Sequence, residues 1–547
     1  MRTLSTLYLV AQAVIPPVYG RLVRHDASFQ PDHILRVAAE NYSQACSERY
    51  SVLVNGSLPG PELRLQEGEV SWIRVYNDME DSNVTMHWHG LSAFTAPFSD
   101  GTPMASQWPI PPGHFFDYEV LPEVGYAGTY FYHSHVGFQA VTAAGALIVE
   151  STEQPPYNDP SALLVNGQGR SANDTDGSCK LAALEVEASK TYRLRFIGAT
   201  ALSTLSLSIE DHDVLEIIEA DGHYTKSAET GFVQIASGQR YSVLLKTKTE
   251  DELQAAGSRQ FYFQINTVGG PPALTTYAIL QYPSEEEPDL TTIPADPPLP
   301  LATLTNGWLD YTLQPYGADP NFPTADEVTR RIVVTVHSNA SDHIVYLQNG
   351  YDWVETFPGS PYLVDIYNGE LDLDSTYERA VDSGNAFDNQ TRLFPAKMGE
   401  VLEIVWQNQG GVDVGDVQHH PFHGHGRHFY DIGGGPGLYD PTKNEERLKE
   451  TSPVQRDTTI LYGYQDKTSP LEPSGWRAWR VRVEAAGVWM MHCHILHHMV
   501  MGMQTVFVFG NEEDIKEQAG PVADGYLTYG GSAYGNSKRS PEVRHYF

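Results

Sequence analysis

The stretch WMMHCHILHHMVMGM, Trp489 to Met503, constrains this chain more than any other. Successive side chains on a β-strand point to opposite faces. Cys493 therefore faces one way on a strand, and His492 and His494 face the other. One short strand can then serve two metal sites, with a covalent path from the thiolate through the backbone to both imidazoles. Thiolate, imidazole and a distant thioether form the ligand set of a blue-copper electron-transfer centre. Histidines alone on the far side suit a copper site that handles dioxygen.

A strand of this kind needs β-rich surroundings, and the chain supplies them. Alternating or apolar runs bounded by turn residues recur throughout: HILRVAAENYS, YSVLVNG, EVSWIRVYN, YRLRFIGA, RRIVVTVHS, VLEIVWQN and TVFVFG. At 547 residues the chain is too long for one domain and suits about three. A Pro/Asn break, EQPPYNDP, and an acidic Pro-rich stretch, PSEEEPDLTTIPADPPLP, mark the divisions. The reading is all-β, with three consecutive β-sandwiches at 21–152, 153–300 and 301–547. The last stretch, GGSAYGNSKRSPEVRHYF, is polar and reads as loosely held.

Residues 1–20 have one Arg, an apolar run from Leu4 to Ile15 and small residues near Gly20. They read as a secretory signal peptide, a first core strand being the alternative. Six Asn-Xaa-Ser/Thr triplets, at Asn41, Asn55, Asn83, Asn173, Asn339 and Asn389, are compatible with a secreted, extracellular protein. No later stretch is long and apolar enough to span a bilayer. The net charge of −34 argues against nucleic acid or an anionic membrane as partner, since both need a basic surface.

Thirteen of the 21 histidines fall in four short stretches. MHWHG carries His87 and His89, and FYHSH carries His133 and His135. QHHPFHGHGRHF carries His419, His420, His423, His425 and His428; the opening stretch carries His492, His494, His497 and His498. His-Xaa-His on a strand projects both rings from one face. Two pairs from the first domain can meet two from the third, which puts a metal between domains. Zinc is the simpler alternative, but its sites are four-coordinate and do not need so many ligands together.

HWHG, HSH, HPFHGH and HCHILHHMVMGM, in this order, resemble the four signatures of the multicopper oxidases. The resemblance covers essentially the whole mature chain and is nearest to the fungal laccase-like and ascorbate-oxidase-like branch. It implies three cupredoxin-like Greek-key domains and four copper ions per chain. By motif position, His420, Cys493 and His498 would hold the type 1 copper, with Met503 as weak axial partner. His87 and His423 would hold the type 2 copper. His89, His133, His135, His425, His492 and His494 would hold the type 3 pair. His419, His428 and His497 are left as pocket lining or supports of the ligands. Cys46 and Cys179 match a bridge between the first two domains of ascorbate oxidases. Cysteine parity agrees, two free thiols being the alternative. The chain departs from the family where Trp108 stands in place of a common cysteine, and its end lacks a DSGL-type plug.

The resemblance further implies an oxidase that takes single electrons from a phenolic or enediol small molecule and reduces O2 to water. Asp100, in SDG, stands where the family keeps an acid near the cluster; Asp221, in EADGH, stands where laccases place a carboxylate that accepts a phenol proton. Both also read as turn residues before glycine. A phenol oxidase, with oxidative coupling in a pigment or polyketide pathway as one role, is the leading function. An ascorbate oxidase, a metal-ion oxidase and a copper-binding electron carrier are the rivals. A carrier needs only the cysteine-containing site.

Overall fold

A computed structural model describes residues 21–545, apart from 45–46, 94–95, 124–125, 151–179, 201, 270–273, 285–287, 295, 302, 318, 341–343, 356–358 and 520–522. The leader-like segment, Cys46, Cys179 and Asn173 lie outside the described residues, so the signal peptide and disulfide expectations do too. No helix among the described residues is long and apolar enough to cross a membrane.

Three pairs of sheets follow one another along the chain. The first pair orders its strands Ser47–Val54, His33–Gln44, Ser71–Asn77, His114–Val120 and, opposite them, Gly60–Gln66, Ala144–Glu150, Gly128–His133, His87–His89. Alternation builds the interior: in Ser71–Asn77, Ile73 and Val75 turn inward to meet Leu147 and Val149 of the facing sheet's cluster. The second pair spans Ala183–Glu185 to Thr275–Gln281 around Phe196, Leu207, Ile217, Val243 and Phe263. The third pair runs from Arg330–Asn339 to Gln504–Phe509 around Ile404, Trp406, Trp479, Trp489 and Phe507.

The strand Gly487–Cys493 lies in the middle of this last pair, between His420–Gly424 and Gln504–Phe509. It is buried along its whole length, and its two faces pack into different cores. Trp489, Met491 and Cys493 enter the third domain's core. Val488 and Met490 enter a cluster that continues into the first domain. The period-two alternation of the strand thus becomes a division between domain interior and domain boundary.

The end of the chain differs from the sequence expectation. Tyr534–Asn536 joins the first domain's sheet beside His114–Val120, and Glu542–His545 pairs antiparallel with Arg21–Arg24. Ala533, Tyr534 and Val543 are buried in the first domain's core. The Tyr534 hydroxyl donates to the Trp108 carbonyl at 2.7 Å, and the Trp108 indole donates to Leu527 O at 3.4 Å. The tail's polar composition suggested looseness, yet its glycines permit close approach. A Cβ on Gly535 would stand 2.1 Å from the Phe115 ring. The stretch assigned by sequence to the third domain therefore gives its last strands to the first.

Candidate metal centre

Two side-chain groups flank the end of Gly487–Cys493. In the smaller, Cys493 Sγ lies 3.8 Å from His420 Nδ1 and 3.6 Å from His498 Nδ1, and the two ring nitrogens are 3.1 Å apart. His420 opens the neighbouring strand, and His498 comes from the short helix Leu496–Val500. The chain then returns to the same place. The Cys493 N–H donates to Met503 O and the Met503 N–H to His498 O, which keeps Met503 beside Cys493 in the buried cluster. Burial pushes the Cys493 thiol up. A thiolate here therefore requires a cation next to it.

The larger group holds eight histidines, four from the first domain and four from the third. His87 stands directly opposite His133 in one sheet, and His423 opposite His492 in another. One nitrogen each of His89, His133 and His494 lie within 4.8 Å of one another, and so do those of His135, His425 and His492. His87 and His423 close the arrangement with His89. Peptide bonds thus join Cys493 to one member of each three-histidine set.

Hydrogen bonds decide which nitrogen each ring presents. His87, His133, His423 and His492 donate Nδ1–H to the carbonyls of Asp100, Ser134, Asp457 and Cys493. A carbonyl can only accept, so Nε2 carries the lone pair. The Nε2 atoms of His87, His133, His135 and His423 are buried and have no protein partner. Each such orphan costs about 1–3 kcal/mol unless something binds it. Burial, reinforced by neighbouring rings, holds His87, His425, His492 and His494 well below the ordinary imidazole value. His133 and His498 fall to about 3 for the same first reason. Neutral imidazoles with converging lone pairs and one thiol are a donor set suited to copper.

The two carboxylates singled out by sequence fare differently. Asp100 is buried against the larger group: its Oδ2 is 3.2 Å from His425 Nδ1 and accepts from the Thr102 hydroxyl. Burial pushes its carboxyl up to about 6, against the pull of the Thr102 hydrogen bond. Asp221 is fully buried and sealed by Arg456, 2.5 Å away, and Arg240, 3.5 Å away, and it accepts the Arg240 backbone N–H. It sits at a turn before Gly222, with the Arg456 guanidinium on Oδ2 and the Arg240 backbone N–H on Oδ1.

Asp457 was missed. It sits in QRDTT, where nothing marks it, yet it touches the larger group from behind. Its carbonyl accepts from His423, and its carboxylate oxygen lies 3.3 Å from His89 Nε2. Burial raises its carboxyl, but Arg240 and hydrogen bonds from His423 and His89 outweigh this and hold it well below the usual range. Ser237, from the middle domain, lies 2.9 Å from His494 Nδ1. The three remaining histidines fall outside both groups. His419 meets the Thr204 hydroxyl, His428 donates to Gly90 O, and exposed His497 lies near the Phe138 ring.

Three cupredoxin-like domains, with a cysteine-histidine site joined by one strand to a histidine cluster between the outer two, define a multicopper oxidase. The chain belongs to the multicopper oxidase family, whose profiles match residues 36–154, 128–285 and 356–513. It is 43% identical to multicopper oxidase aurL2 of Gibberella zeae, over 98% of both chains. It is 42% identical to laccase-like multicopper oxidase 1 of Thermothelomyces thermophilus, over 98% of this chain and 96% of that one. It is 28% identical to the L-ascorbate oxidase of Cucumis sativus, over 86% and 87%. Among solved structures, Fet3p, a multicopper oxidase that functions in iron import, superposes with a TM-score of 0.68 at 22% identity, over 94% of this chain and 99% of that one. The protein is an oxidase of this copper-using family.

Proposed function

We propose that the protein is a secreted oxidase of phenolic or related aromatic small molecules, passing single electrons to O2 and yielding water. Four coppers are assigned. His420, Cys493 and His498, with Met503 as a weak further donor, would hold the first; His87 and His423 would hold the second. His89, His133, His135, His425, His492 and His494 would hold a pair. Copper bound there would supply the chemistry of one-electron uptake at the cysteine site and of dioxygen reduction at the histidine cluster. The observation that carries the reading is the branching of the chain at Cys493 into two different three-histidine sets. An electron carrier has no use for the second site. Asp100 is assigned the role of holding a proton beside the cluster, in keeping with its burial against His425.

The phenolic donor is favoured by the laccase-like relative at 42% identity, set against 28% for the ascorbate oxidase. Single-electron withdrawal also suits phenols, because a phenoxyl radical is delocalised and leaves by diffusion. Oxygen uptake with simple phenols, naphthols, ascorbate and ferrous iron tests the reading. Faster turnover of phenols or naphthols is expected; a clear preference for ascorbate or ferrous iron would replace the assigned donor.

Met503→Leu should raise the reduction potential of the blue site while keeping its copper and colour. Axial thioether donation favours Cu(II) over Cu(I), so its removal favours reduction. Leu is close to Met in volume, and packing alone changes little. An unchanged potential in a redox titration of the blue band would remove Met503 from the ligand set.

A further inference from the structure

His89 is held differently from its neighbours. Four cluster rings donate Nδ1–H to backbone carbonyls and turn Nε2 inward. His89 instead turns Nδ1 inward, 3.1 Å from His494 Nε2. Its Nε2 faces outward, 3.2 Å from Thr458 Oγ1 and 3.3 Å from Asp457 Oδ1. The Thr458 hydroxyl donates to that same Asp457 oxygen at 2.7 Å, so the hydroxyl oxygen is left to accept from His89. Both atoms facing Nε2 are therefore acceptors, the proton stays on Nε2, and Nδ1 keeps the lone pair.

The carboxylate that enforces this is itself fixed. Arg240, from the middle domain, donates Nη1–H to Oδ1 and Nη2–H to Oδ2, both at 2.6 Å. Arg240 is anchored in turn by the carbonyls of Thr129 and Gly238. Both partners are completely buried. The glycine of HWHG makes room for them: a Cβ on Gly90 would stand 2.6 Å from Arg240 Nη2 and from Asp457 Oδ2. One carboxylate thus meets His89 of the first domain, Arg240 of the second and His423 of the third.

We infer that Asp457, clamped by Arg240 and shared with Thr458, is a positioning residue that sets the tautomer of His89 and so allows its Nδ1 to bind copper. The middle domain, which contributes no histidine to either group, acts on the cluster through this contact. The inference rests on the copper assignment above.

Asp457→Asn tests it because Arg240 has only donors. Arg240 Nη1 and Nη2 each face one carboxylate oxygen, so the amide N–H2 must push one of them away, and the clamp that fixes an acceptor against His89 Nε2 is lost. Such a loss of support to a ligand is expected to weaken metal retention roughly tenfold to a hundredfold. The readout is copper per chain during titration with a chelator, alongside the blue band and thermal unfolding. Cluster copper should leave Asp457→Asn at lower chelator concentration than wild type, with the blue band intact. In Arg240→Gln/Asp457→Asn the amide is free to offer oxygen to His89, and retention should recover. Wild-type retention in Asp457→Asn overturns the inference, as does parallel loss of blue band and cluster copper. If Asp457→Asn does not fold, Arg240→Gln/Asp457→Leu decides, since it removes the carboxylate without leaving a buried guanidinium unpaired; selective loss of cluster copper supports the inference and wild-type retention overturns it. A wild-type protein that binds no copper would instead sink the copper assignment itself.

Discussion

Cys493→Ser should be colourless and inactive, with copper falling from about four to about three per chain. The thiolate supplies the intense charge-transfer band, and a buried serine hydroxyl does not ionise to replace it. His492 and His494 keep their places on the same segment, and their hydrogen bonds to the Cys493 carbonyl and Ser237 do not involve the sulfur. The cluster should therefore keep its metal while losing its electron supply. Visible spectra, copper analysis and oxygen uptake on one preparation check all three outcomes. A blue Cys493→Ser protein would refute the assignment of the cysteine.

Tyr534→Ala should destabilise the protein by about 3–5 kcal/mol, the range for deleting a buried aromatic ring. The ring is completely buried, packs 5.0 Å from Phe116 and donates its hydroxyl to Trp108 O. A polar tail merely resting on the surface would tolerate this change within about 0.5 kcal/mol. Denaturant unfolding separates the two, and a near-zero effect would mean that the tail strand is dispensable. Because the same core includes Trp88, between His87 and His89, the unfolding midpoint and cluster copper should fall together.

What the sequence showed and what it hid divide along a physical line. Cys493 and its neighbours were legible because alternation on a strand is a local rule, and the packing of Trp489 and Met490 into separate cores follows it. The four histidine motifs were legible because each is a short spacing on one segment. Asp457 was not, since its partner Arg240 is 217 residues away and an aspartate in QRDTT looks like any other. The partner of Asp221 was hidden for the same reason: its turn is local, but the guanidinium of Arg456 that meets it is 235 residues away. The tail was misjudged on composition, because Ala533, Tyr534 and Val543 are few among polar residues but are buried in the first domain's core.

The closing strands also carry information about time. His87, His89, His133 and His135 leave the ribosome early, but the sheet beside them is completed by Tyr534–Asn536, about 400 residues later. At typical synthesis speeds that is a delay of roughly 20–80 s. The strand Arg21–Arg24 waits longer still for Glu542–His545. Throughout that interval half of the cluster's histidines belong to a domain whose sheet is one strand short, and the other half are unmade for most of it. The histidine cluster thus cannot close before His494 is made, nor the first domain's sheet before Tyr534–Asn536, and a stop codon between the two would leave every cluster histidine in place on an open first domain.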